Sequence, residues 1–182
     1  MSLVGFKVQN HPQQRVKDAV DDRGTDPEFF ARMVERFGSF TIDVAAAAHN
    51  AKCVRYYTID DDGLEQPWTG ERVWCNPPYS NIGAWVRKAW AEAPGVNAGA
   101  ELIVMLLPAN RTEQRWWQEW VEPWRDRGRL TVEFLPGRMR FDRPGVVIGP
   151  KGDRPPSGCC LLIWTKEKTH VSQVHRIQSP HR

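Results

Sequence analysis

Six consecutive apolar residues, Leu102 to Leu107, leave few options for the fold. Side chains on a strand alternate between its two faces, so a strand of this composition must be covered on both sides. The run is far too short for the ~20 residues of a membrane span, and the polar start of the chain (Gln9, Asn10, Gln13, Gln14, Arg15) lacks the apolar core of a signal peptide. With 182 residues, 41% hydrophobic and 26% charged, the chain reads as one soluble α/β domain in a reducing cytoplasm.

The rest of the pattern agrees with a layered α/β sheet. Thr25-Asp26-Pro27-Glu28 reads as a capping box with Thr25 as N-cap, opening an amphipathic helix over 26–37 that carries Phe29, Phe30, Met33, Val34 and Phe37. Short strands are expected over 40–44, ending near Asp43, over 54–58, and over 72–75. Ser80 is placed to cap a helix with Ile82, Trp85, Val86, Ala89 and Trp90 on one face. A further helix is expected over 112–121. Two late strands, 130–135 and 159–164, have no helix between them, which predicts a mostly parallel sheet with an antiparallel edge strand. Residues 1–23 and 166–182 read as a flexible arm and a basic tail around a domain spanning 24–165.

Cys53, Cys75, Cys159 and Cys160 lack the spacing of a zinc cage, so no metal is expected and the cysteines within apolar runs read as small core hydrophobes. The net charge is only +3, but it is unevenly spread. Between residues 136 and 156, Arg138, Arg140, Arg143, Lys151 and Arg154 outweigh Asp142 and Asp153. Such a segment is either a nucleic-acid face or a solvated loop, and charge alone leaves both readings open. Trp116, Trp117 and Trp120 sit at helical spacing, which favours core packing over base stacking.

The chemistry lies where the strand over 72–75 meets Asn76-Pro77-Pro78-Tyr79. Two prolines cannot continue a central strand, so the chain leaves the sheet at its carboxyl end, where open α/β sheets bind ligands. The Asn76 amide oxygen and the Pro77 carbonyl can both accept protons from one amino group, Pro78 stiffens the turn, and the Tyr79 ring offers a stacking surface. Together they suit a planar molecule bearing an exocyclic NH₂.

This tetrapeptide resembles the catalytic motif of amino-methylating S-adenosylmethionine-dependent DNA methyltransferases; methyltransferases of glutamine side chains and of RNA amines share it. Thr25-x-Pro27-Glu28, then Phe40-Thr41-Ile42-Asp43-Val44-Ala45-Ala46, then Asp62-Gly63-Leu64-x-x-Pro67-Trp68, precede it in that order. The series is similar to the compact phage and prophage DNA N-6-adenine methyltransferases, the Dam-like family, over about residues 22–165. The resemblance implies a Rossmann-like methyltransferase fold, S-adenosylmethionine as cofactor, DNA as partner and adenine N6 as target. Carried over by position, Asn76, Pro77, Pro78 and Tyr79 would be catalytic, and Thr25, Pro27, Asp43, Ala45, Asp62 and Leu64 would bind the cofactor. Within that set Thr25 would meet the methionyl carboxylate, Asp43 the methionyl ammonium and Asp62 the cofactor adenine, with Asp60 and Asp61 as rivals. The five cations of the basic segment would contact DNA. The sequence departs from the wider methyltransferase pattern after Asp43, where alanines replace a glycine-rich turn, and after the second strand, where Tyr56-Tyr57-Thr58 offers no carboxylate to the ribose. Within the compact family it departs at Asp26, where the first of two prolines is usual, and the missing turn leaves a non-catalytic DNA-binding relative as an alternative.

Overall fold

Alternation along Leu102–Leu107 decides the layering. Leu102, Val104 and Leu106 join one buried cluster with Phe29, Met33, Phe40 and Trp74. Ile103, Met105 and Leu107 join the other, with Ile82, Trp85, Val86 and Trp117. The sheet therefore carries helices on both faces, as the unbroken apolar run requires.

The computed structural model describes residues 24–95, 99–142 and 157–166. In chain order these form β1 (Gly24–Thr25), α1 (Pro27–Phe37), β2 (Ile42–Asp43), β3 (Arg72–Cys75), α2 (Ile82–Ala91), β4 (Leu102–Pro108), α3 (Arg115–Trp120), β5 (Leu130–Phe134), β6 (Phe141–Asp142) and β7 (Cys159–Thr165). The main sheet has the order β2-β3-β4-β7-β5. β2, β3 and β4 run parallel, with Asp43 beside Trp74 and Cys75 beside Met105. β7 runs against both β4 and β5. β1 and β6 form a separate antiparallel pair that brings Thr25 beside Phe141.

Three expectations change. The antiparallel strand is not at an edge: β7 lies inside the sheet, and β5 takes the edge. Burial explains the exchange, since six of the seven residues of β7 are buried whereas β5 alternates and exposes Phe134. The N-cap of α1 is Asp26, whose carboxylate accepts the Phe29 N–H at 2.8 Å, and Thr25 is drawn into β1 instead. Proline favours the first helical position, so Pro27 makes the residue before it the cap. The segment over 54–58 contributes a single parallel bridge, Tyr56 to Asp43, rather than a strand.

Smaller adjustments concern the helices. Asn81 rather than Ser80 precedes α2, after a 3₁₀ turn at Tyr79–Asn81. α3 begins three residues late because a turn that pairs the Gln114 N–H with the Arg111 carbonyl occupies its expected start. Gly38, at φ 81°, ends α1 by donating its N–H to Val34. Arg36 then ties α1 to β5 through a two-pronged pair with Glu133 at 2.6 and 2.8 Å.

Candidate active site

Parallel pairing of β2 with β3 brings two strand ends to the same edge of the sheet. Asp43 closes β2, and Asn76 follows Cys75 at the end of β3. The Val44 N–H continues the ladder to the Trp74 carbonyl at 3.1 Å. A polar cleft opens there, lined by Gly24, Thr25, Asp43, Ala45, Asn50, Lys52 and Asn76. Of the ten residues that the sequence places in the cofactor and catalytic sets, Thr25, Asp43, Ala45 and Asn76 meet in this cleft.

Asp43 is only 3% exposed. Its carboxylate accepts the Lys52 N–H at 3.0 Å and the Ala45 N–H at 3.4 Å. Burial lifts its pKa from an ordinary 3.8 to about 6; those two N–H groups and the Lys52 charge pull the other way without cancelling it. The native chain therefore holds this proton more tightly than the unfolded chain does. Its contribution to stability is greatest below about pH 4, declines as pH rises through the window from 3.8 to 6, and stays at its lowest above that. The cost of the charged form is about 3 kcal/mol at neutral pH. Asp43→Asn is thus expected to gain stability relative to the unchanged chain at pH 7.5 and to lose most of that advantage by pH 4. Urea denaturation at both values checks it, and a difference that does not change with pH would contradict the titration.

The alanines after Asp43 need no glycine. Among the described residues, the non-glycine positions with positive φ are Asp62 and Asp126, so Ala45 to Ala48 turn within ordinary backbone space. The Asn50 side chain closes this turn by accepting the Ala47 N–H at 2.8 Å. Gly24, which has no side chain, and Ala45 line the cleft beside Asp43.

Beyond Asn76, Pro77 is buried, while Pro78 and Tyr79 are half-buried. Pro78 sits at φ −59° and ψ 128°, an extended turn that feeds the 3₁₀ start of α2. Tyr79 packs against the cluster formed by α2 and the sheet. Asp62 and Leu64 lie apart from the cleft-lining set. Asp62 is exposed at φ 51°, and its carboxylate accepts the Leu64 N–H at 3.2 Å, a local turn of its own. Asp61 accepts both the Thr58 N–H and hydroxyl, which hold its pKa below the ordinary value. What ties this loop to the site is Gly63: a Cβ there would stand 2.2 Å from the Val44 carbonyl oxygen.

A family model described as DNA N-6-adenine-methyltransferase (Dam) matches residues 13–178. The chain belongs to the Dam family. It is 35% identical over 109 residues to the DNA N-6-adenine-methyltransferase of Escherichia phage T1, covering 59% of this chain and 42% of that protein. It is 35% identical over 68 residues to the DNA N-6-adenine-methyltransferase of Haemophilus phage HP1 (strain HP1c1), covering 37% and 38%. YfdM of Escherichia coli (strain K12) is 32% identical over 80 residues, 40% of this chain and 87% of that protein. The matched stretches thus span less than half the length of the two phage relatives.

In this Dam-family chain the remaining expected residues are spread more widely. Pro27 is exposed at the start of α1 and does not reach the cleft. Arg138 and Arg140 are exposed, alternating with buried Met139 and Phe141, which anchor the start of the basic segment in the core. Arg143, Lys151 and Arg154 lie outside the described residues. Trp117 is fully buried and its neighbours Trp116 and Trp120 pack on the same cluster, as their spacing predicts. Cys75, Cys159 and Cys160 are buried, and burial pushes the Cys160 thiol up to about 12. Among the described residues no group of three His, Cys, Asp or Glu could hold a metal ion, and no helix is long and apolar enough to cross a membrane.

Three cleft residues, Gly24, Asn50 and Lys52, escaped the sequence reading. An amide and a cation seven and nine positions after Asp43 give no local pattern; only the return of the chain to Tyr56 beside Asp43 brings them to the strand end.

Proposed function

We propose that this chain transfers a methyl group from S-adenosylmethionine to the N6 amine of adenine in DNA, on a Rossmann-like methyltransferase fold. The observation that carries the reading is the shared edge of Asp43 and Asn76, a buried acid and the amide of an Asn-Pro-Pro-Tyr turn opening into one cleft. Membership of the Dam family supports the choice of DNA adenine over another amine.

The cleft fits the amino-acid end of such a donor. Asp43 offers a desolvated negative charge to an ammonium, and Thr25 offers a donor to a carboxylate. When bound, S-adenosylmethionine supplies a sulfonium-activated methyl group. The protein's own work is at the amine. The lone pair of an adenine amine is delocalised into the ring, which makes it a poor nucleophile. Accepting its two protons, the Asn76 side-chain oxygen and the Pro77 carbonyl favour a pyramidal nitrogen with the lone pair directed out of the plane. Because β3 and two prolines hold these acceptors rigidly, little reorganisation is needed during reaction. The base must leave the duplex stack to reach them, and half-buried Tyr79, two residues after Pro77, is the ring next in sequence that could stack on it. Arg138 and Arg140 supply positive charge toward phosphates.

The test is expression of the chain in cells that lack adenine methylation. Chromatography of DNA nucleosides is expected to detect N6-methyladenine, and methylation-aware sequencing to place it at a recurring site. Methyl transfer confined to RNA or protein would overturn the substrate, and failure of the purified chain to bind S-adenosylmethionine in a calorimetric titration would overturn the reaction.

A further inference from the structure

The geometry points to Lys52 as the specificity-determining residue that recognises the carboxylate of the donor's α-amino-acid group, an assignment that rests on the methyl-donor reading above. Three observations meet at this residue. Lys52 lines the same cleft as Asp43 and Asn76. Its main-chain N–H donates to the Asp43 carboxylate at 3.0 Å. Its ammonium is near enough for its charge to act on that carboxylate. One residue therefore holds the acid in place and sets a cation beside it.

The consequence is a cleft of two signs. Asp43 and Lys52 are its charged members, and Thr25, Asn50 and Asn76 line it with neutral polar groups. A ligand that is only a cation gains from Asp43 and loses against Lys52, and a simple anion meets the reverse. A group with an ammonium and a carboxylate on one carbon satisfies both at once, which discriminates by repulsion as well as by attraction. The cation is placed by the turn before it. The Ala47 N–H bonds to the Asn50 side chain at 2.8 Å, and the Ala51 N–H bonds to the Ala47 carbonyl at 3.0 Å, so the chain doubles back before residue 52. The main-chain bond to Asp43 survives substitution of the side chain, so charge at position 52 can be varied without removing what holds the acid.

The experiment compares two probes by calorimetry on the full chain: S-adenosylmethionine, and decarboxylated S-adenosylmethionine, which keeps the sulfonium and ammonium but lacks the carboxylate. The unchanged chain is expected to prefer the first by about 10-fold or more, the worth of one charge-assisted contact. Lys52→Gln is expected to erase that preference by weakening S-adenosylmethionine, with binding of the decarboxylated probe within about threefold of its original value or tighter. Lys52→Arg, which keeps the charge, is expected to restore most of the preference. An unchanged chain that binds both probes equally, or a Lys52→Gln variant with the original preference, overturns the assignment. A chain that binds neither probe overturns the methyl-donor reading itself, and the assignment with it.

Discussion

Asn76→Ala is expected to slow adenine methylation by about 10²- to 10³-fold while leaving affinity for S-adenosylmethionine within about threefold, because it removes an acceptor that acts on the amine rather than on the donor. The fold should tolerate the change. Asn76 is half-buried at the end of β3, behind which Val73, Trp74 and Cys75 are fully buried, and Pro77 fixes the backbone that follows. A stability change of about 1 kcal/mol or less is expected for such a site. Asn76→Gln is the informative companion. It keeps the amide but displaces its oxygen by a methylene, and displacement on the scale of 1 Å is enough to cost about 10² in rate. Single-turnover kinetics with labelled cofactor separate the two steps. Activity within tenfold of the unchanged chain in Asn76→Ala would remove the amide from the chemistry.

The second large effect is on the fold, at Gly63. An added Cβ would sit 2.2 Å from the Val44 carbonyl oxygen and 3.1 Å from the Trp85 ring. Neither neighbour can yield easily. The Val44 N–H is bonded to Trp74, and Trp85 is buried with its ring stacked on Trp68 at 6.3 Å between centroids. The loop itself is pinned, since the Gly63 carbonyl accepts the Trp68 indole N–H at 3.0 Å. Gly63→Ala must therefore lift the whole turn off β2, and the expected cost is about 3 kcal/mol. For a chain of this size that lowers Tm by about 6–12 °C. Val44 follows Asp43 directly, so cofactor affinity should fall as well. Gly158→Ala, whose Cβ would meet its nearest atom at an ordinary 3.8 Å, is the control and should melt within about 2 °C of the unchanged chain. A Gly63→Ala variant as stable as that control would show the contact to be relieved cheaply.

What the sequence made legible follows from how local each signal is. The apolar run of β4 reports its own burial on both faces, and Asn76-Pro77 reports the exit from β3, because both depend on neighbouring residues alone. The antiparallel relation of β5 and β7 was also readable, from the missing helix between them. Strand order was not, since the choice of β4 as the second neighbour of β7 is made by residues more than fifty positions apart. Thr25 shows the same limit in miniature: it is a good cap by type, yet pairing with Phe141 and the position of Pro27 hand that task to Asp26. The site divides likewise. Asp43 and Asn76 announce themselves at strand ends, whereas Lys52, Asn50 and the close approach of Gly63 exist only once the loop has folded back.

The placement of β7 bears on how the chain is made. The ribosome delivers β4 and β5 well before it delivers Cys159–Thr165, the segment whose hydrogen bonds join them. Until then β4 has one open edge and β5 has no partner in the sheet, so the nascent protein carries a gap inside its sheet, one strand in from the margin. Of the described strands, the last to be synthesised is the one that joins β4 to β5, and until it arrives their open edges are free to pair with other strands.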